Sequence, residues 1–340
     1  KQAAQVLVSC SFHENVRSTA FIFLTMNKMK KPQTTVSQPG RIFSHPVWAG
    51  CLALGAAILW GFAYPLIKIG MTEFCITPDM TGGKMVFAGI RFFFSGLIIL
   101  VAAACLKRSF KVKSVSSIPF IVVFSLLNTT LHYAFFYFGL SHSEGARAAI
   151  LNSLSVFLVV IFACVFFKSD RMQRHKVAGC AVGIAGIFAL HAGNADSGHF
   201  TLLGDGFIIL NAVCSALASL MTRRLCRMVD VFVGTGISLS LGGFLLLLPA
   251  AWGGGTLPSI TPSGVWVLLA LIAISTISFV LYNQLLLVNP VGKIAIYNSL
   301  IPVTGALTSC IFLHEPFRPE YIVAVALATA GILLINKGKG

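Results

Sequence analysis

Long apolar runs separated by short polar breaks fill the chain from residue 47 onward. Ten of them reach the roughly 20 residues that a helix needs to cross a bilayer. They fall at 47–70, 83–106, 118–140, 145–167, 172–191, 203–224, 230–252, 264–287, 292–313 and 317–336. None alternates apolar and polar residues with the period of two that a barrel strand carries. The pattern therefore predicts an all-α integral membrane protein with ten transmembrane helices. The first 45 residues are different. Ala20–Leu24 is too short to span or to serve as a signal core, and a polar stretch follows from Met26 to Gly40. This arm, 1–45, is expected to be disordered or an extension of the gene model, with Met26 or Met29 as the natural start.

Composition agrees with the pattern. Of 340 residues, 56% are hydrophobic and 10% charged, with a mean hydropathy of +0.87. A soluble domain is about 25% charged, and so few charges could not cover a water-facing surface of this size. The balance of 25 Lys and Arg against 10 Asp and Glu, a net +15, would suggest nucleic acid in a soluble protein. Here it sorts by side. With the N-terminus in the cytoplasm, 18 basic residues fall on the inner side, and the outer side keeps Lys68, Lys84, Arg147 and Arg318. That bias predicts both termini inside, in a bacterial inner membrane, with no nucleic-acid partner. The nine cysteines show no paired spacing, so no metal site or disulfide framework is expected. There is no phosphate-binding Gly-x-x-x-x-Gly-Lys-Ser/Thr loop, so no nucleotide fuel or other cofactor is expected.

A duplication organises the runs. Ala149-Ile150-Leu151-Asn152-Ser153-Leu154 returns as Ala295-Ile296-Tyr297-Asn298-Ser299-Leu300, and the same offset of 146 pairs Arg147 with Lys293. Chance resemblance between apolar helices would not readily reproduce Asn-Ser in register. Spans one to five (47–191) and six to ten (203–336) then form two copies of one unit. Five is odd, so the second copy enters the membrane from the opposite side. Such inverted repeats are a recurring plan of secondary transporters.

The stretch Trp60-Gly61-Phe62-Ala63-Tyr64-Pro65-Leu66-Ile67-Lys68 resembles the first-helix signature of EamA-type proteins of the drug/metabolite transporter superfamily. Arg91-Phe92-Phe93-Phe94 is similar to that family's Arg-Phe element, and His314-Glu315-Pro316 resembles its turn after span nine. The resemblance covers about 47–336. It implies ten helices in two repeats and the export or exchange of small metabolites.

Polar groups inside lipid must pair or line a water-filled path, which makes them site candidates. Every carboxylate lies in a loop or near a helix end, so no mid-membrane Asp or Glu is available for a proton relay. His132, in the middle of span three, is the remaining titratable group, and Asn128 lies one turn before it. Asn152 and Asn298 hold equivalent places in the two copies. Ser275, Ser278 and Tyr282 make one face of span eight, and Trp60 and Tyr64 one face of span one. These residues are read as a central cavity or, alternatively, as hydrogen-bonded packing. Asn211, Ser215 and Ser219 are read as helix contact. Arg91 either attracts an anionic or zwitterionic substrate group or is structural, snorkelling toward the membrane surface or pairing with Glu144 or with backbone. Arg147 and Lys293 start equivalent helices and could act as gates, with Glu144 the local partner of Arg147; end anchoring is the alternative. The expected partners are a small-molecule substrate, amino acids or amines in kind, and the lipid bilayer, with a homodimer left open. A membrane-embedded enzyme or lipid-handling protein is the alternative, but it would need a metal or nucleophile motif that the sequence does not show.

Overall fold

The computed structural model describes residues 41–112, 114–166, 172–189, 200–252, 255–289, 294 and 297–336. The N-terminal arm before Arg41, the Lys168–Arg171 turn and the gate candidate Lys293 lie outside them. The described residues are helical and contain no strand. We number the helices α1 (Pro46–Glu73), α2 (Thr81–Cys105), α3 (Ile118–Ser141), α4 (Gly145–Phe166) and α5 (Arg174–Ala189). The second series is α6 (Leu202–Met228), α7 (Val231–Trp252), α8 (Pro262–Val288), α9 (Leu300–Phe312) and α10 (Pro319–Asn336).

Seven of these, α1 to α4 and α6 to α8, are long and apolar enough to cross a membrane. The expectation of ten spans is thus met in part. Over their described residues the other three helices are shorter than roughly 20 residues: α5 has 16, α9 has 13 and α10 has 18. For α9 the reason is local. A 3-10 turn at Tyr297–Ser299 precedes it, so the expected run 292–313 does not continue as one helix. The outside of the bundle carries exposed Phe94, Val101, Leu269, Ile311 and Ile322. A surface that apolar suits lipid and not water. The chain is an integral membrane protein.

Helix ends follow from their sequences. Thr201 and Thr261 accept backbone N–H groups of Gly204 and Gly264, capping α6 and α8. Glu73, at the end of α1, accepts hydroxyls from Thr261 and Ser263 at the start of α8. α1, α2 and α9 each stop with a left-handed residue two positions past the last helical one: Cys75 (φ 54°), Lys107 (φ 52°) and His314 (φ 53°). Inside α1, Pro65 has no N–H to give the Gly61 carbonyl. Thr308 Oγ1 of α9 supplies a donor to it at 3.4 Å.

The packing has an internal equivalence. α2 lies along α7 and α5 along α10; α1 is held between α8 and α9, and α6 between α3 and α4. Replacing each helix by the one five places away leaves this set of neighbours unchanged. Glycines make the α2–α7 and α5–α10 contacts possible. A Cβ on Gly96 would sit 2.2 Å from the Ser240 nitrogen, and one on Gly243 2.3 Å from the Phe93 nitrogen. Gly89 meets Gly243 while Gly96 meets Gly236, so α2 and α7 run antiparallel. Likewise Gly179 meets Gly331 and Gly186 meets Leu327, so α5 and α10 are antiparallel too.

Candidate substrate site and gate

The duplicated Asn-Ser pairs mark a break in both halves. In α4 the helix stops at Asn152, turns at Ser153 and restarts at Leu154, with Ser153 Oγ donating to the Ile150 carbonyl at 2.6 Å. In the second half Asn298 lies in the 3-10 turn ahead of α9. A break of this kind inside an apolar run frees backbone groups that neighbouring side chains or a water-lined cavity must meet.

The two asparagines reach different partners. Asn152 Nδ2 donates to Tyr64 OH at 2.8 Å, and Asn211 Nδ2 donates to Asn152 Oδ1 at 2.7 Å, joining α1, α4 and α6. Asn298 Nδ2 donates to Tyr282 OH at 2.8 Å, and Trp60 lies edge-on to Tyr282, ring centroids 5.1 Å apart. Trp60 and Tyr64 are one turn apart on α1, so the two clusters are neighbouring storeys of one polar-aromatic column. Asn211 Oδ1 and Ser278 Oγ are buried there with no hydrogen-bond partner. Sequence reasoning assigned Asn211 to helix contact. Its signal was present, since an amide inside an apolar run needs a partner, but the sequence did not show which helix would supply one.

Two candidates sit apart from this column. Asn128 lies in a π turn, Leu126–Leu131, and donates to Ser238 Oγ of α7 at 3.2 Å. His132 packs its ring on Tyr133 at 4.4 Å, and its Nδ1 is buried without a partner. Arg91 is 2% exposed, and pairs neither with Glu144 nor with backbone. Its Nε donates to Ser275 Oγ at 2.8 Å and its Nη1 to Tyr137 OH at 3.2 Å.

A lattice of ion pairs closes the end of the bundle where α4 and α6 begin. Arg147 grips Asp205 with two bonds, Nε–Oδ1 at 2.9 Å and Nη2–Oδ2 at 2.8 Å, with side chains 9% and 1% exposed. Its carboxylate partner is thus on α6 and not the adjacent Glu144. Glu144 instead takes Arg318 at 2.7 Å and the Tyr321 hydroxyl. The hydrogen bond that Arg318 donates to Glu144 raises the Arg318 pKa, so the guanidinium stays charged throughout the physiological range. Glu315 accepts the first amides of α4, Gly145 at 2.8 Å and Ala146 at 3.0 Å, and Lys68 Nζ at 3.1 Å. A negative charge at a helix N-terminus is favoured there by the orphan N–H groups and the helix dipole. A cavity of about 490 Å³ opens beside the lattice, lined by Lys68, Pro78, Ser141, His142 and Thr201 among others.

The chain has relatives of matching length. It is 26% identical to an uncharacterized transporter, YvbV, of Bacillus subtilis over 82% of this chain and 88% of that one. A "probable terminal-alkyne amino-acid exporter" of Streptantibioticus cattleyicolor is 24% identical over 86% and 94% of the two chains. A "probable amino-acid metabolite efflux pump" of Salmonella typhimurium is 22% identical over 84% and 93%. A solved crystal structure covering 83% of this chain and 95% of its own superposes with a TM-score of 0.60 at 19% identity, a likeness of fold. The EamA-like transporter family matches residues 47–191 and again 202–337, and the chain belongs to that family.

Proposed function

We propose that the protein is a secondary transporter, an exporter or exchanger of small metabolites such as amino acids or amines. It would work by alternating access of two inverted five-helix halves, with both termini in the cytoplasm of a bacterial inner membrane. The observation that carries the reading is the neighbour set that survives exchange of the halves, with α2–α7 and α5–α10 antiparallel. A two-fold axis in the membrane plane maps a helix onto an antiparallel mate, whereas an axis along the membrane normal would map it onto a parallel one. The double family match supports the same division, and in this reading the shorter α5, α9 and α10 complete the ten spans.

In this arrangement the substrate site is the column around Asn152 and Asn298, reached through the broken helices. The ion-pair lattice lies at the outer end and is closed. Arg147 on α4 and Asp205 on α6 belong to different halves, so opening that end separates them. The printed names of the Streptantibioticus and Salmonella relatives favour amino-acid-like cargo. The test is a metabolite profile inside and outside cells with and without the gene. Expression should raise the outside-to-inside ratio of at least one small metabolite and deletion should lower it. An unchanged profile in both directions would sink the reading.

A further inference from the structure

α2 carries two buried cations seven residues apart, hence on one face of the helix, and neither has a carboxylate at ion-pair distance. Lys84 is 0% exposed. Its ammonium donates to the Pro78 carbonyl at 2.5 Å and to Ser141 Oγ at 3.1 Å, and lies over the Phe138 ring at 4.1 Å. Pro78 and Ser141 both line the 490 Å³ cavity, so Lys84 lies against its wall. Two turns deeper, Arg91 has only the Ser275 and Tyr137 hydroxyls and the face of Phe92, 4.8 Å away. A guanidinium has five N–H groups, and the protein accepts two of them here.

Three carboxylates at this end are engaged elsewhere: Asp205 by Arg147, Glu144 by Arg318, Glu315 by Lys68. Asp79 acts on Lys84 from beyond ion-pair distance and leaves Arg91 without an anion. Arginine cannot shed its proton, so a buried one without an anion is a standing cost to the fold. Neutral hydroxyls and a ring face compensate it only in part. The remaining N–H groups form the planar fork that suits a carboxylate.

We infer that Arg91 binds a carboxylate of the transported molecule and that Lys84 passes that group between the cavity and Arg91. The inference rests on the transporter reading above and narrows its cargo: the substrate carries a carboxylate, and amines without one are excluded.

The test uses the full chain in proteoliposomes, with counterflow of the twenty labelled amino acids, plus the amides and decarboxylated amines of phenylalanine, leucine and threonine. One or more acids should exchange, with amides and amines at least tenfold slower. Arg91→Met should lose acid exchange tenfold or more while its melting temperature in detergent stays level or rises. A lone buried charge replaced by an apolar side chain relieves the fold. Lys84→Gln should raise the KM for the acid severalfold and keep the maximal rate. The inference falls if amides or amines move as fast as the acids, or if Arg91→Met keeps acid exchange. It also falls if Arg91→Met melts early, which would make Arg91 a structural cation. Amine movement without acid movement removes the inference and leaves the transporter reading standing; no movement of any probe removes both.

Discussion

Arg147 and Asp205 show how much a single residue can commit. Both charges are nearly out of solvent, and Asp205 also accepts the Thr201 backbone N–H at 3.1 Å. Breaking such a pair from one side leaves a desolvated charge, at a cost of about 3–5 kcal/mol, whereas removing both partners is far milder. Arg147→Met should therefore lower the melting temperature sharply, and Arg147→Met with Asp205→Asn should recover most of the loss. A double-mutant cycle by thermal unfolding checks this, and additive effects would show that the two side chains do not depend on each other. Sequence alone nominated Arg147 but gave it Glu144, the nearest carboxylate along the chain. The true partner lies 58 residues on, at the start of another helix. Charge type and burial were legible at this scale; pairing was not, because pairing is decided by which helix ends converge.

At the scale of elements, the apolar runs announced every helix from α1 to α10, and the repeated Asn-Ser announced something special in α4 and before α9. What the runs did not show was that Asn-Ser interrupts α4 and sits in a 3-10 turn ahead of α9, since Asn and Ser also sit within ordinary helices. The left-handed stops at Cys75, Lys107 and His314 were also invisible, because glycine is the usual signal for that conformation. The close approach of α2 to α7 was equally silent in the pattern, as glycine adds nothing to an apolar stripe. Gly96→Val would drive a branched side chain into the Ser240 backbone, which cannot yield as a flexible side chain could. We expect that variant to give little monodisperse protein on size-exclusion chromatography. Gly55→Val, with open space around it, should elute as wild type. Equal profiles would mean that α2 and α7 do not need their close approach.

At the scale of the molecule, two broken helices and an antiparallel pairing of halves make one prediction together. Asn152→Cys and Asn298→Cys should each react with a membrane-impermeant thiol reagent from whichever side is open. Occupancy of one state should protect both. Each variant is built on a chain whose native cysteines are first replaced, since eight free thiols occur among the described residues, several of them exposed. Reaction of neither position from either side would mean that the Asn column never meets water.

The glycine contacts between α2 and α7 have a further consequence. Gly89 and Gly96 stand 147 residues before Gly236 and Gly243, and the contacts Gly89–Gly243 and Gly96–Gly236 are images of one another. The glycines thus present matching contact points on both halves. The glycine pattern by itself does not tell the two halves apart, and two first halves on separate polypeptides, facing opposite ways, would bring the same glycines together. On the orientation proposed above, the basic loops forbid that match by giving each half one direction of insertion. Covalent fusion and loop charge then choose the partner that the glycines leave open.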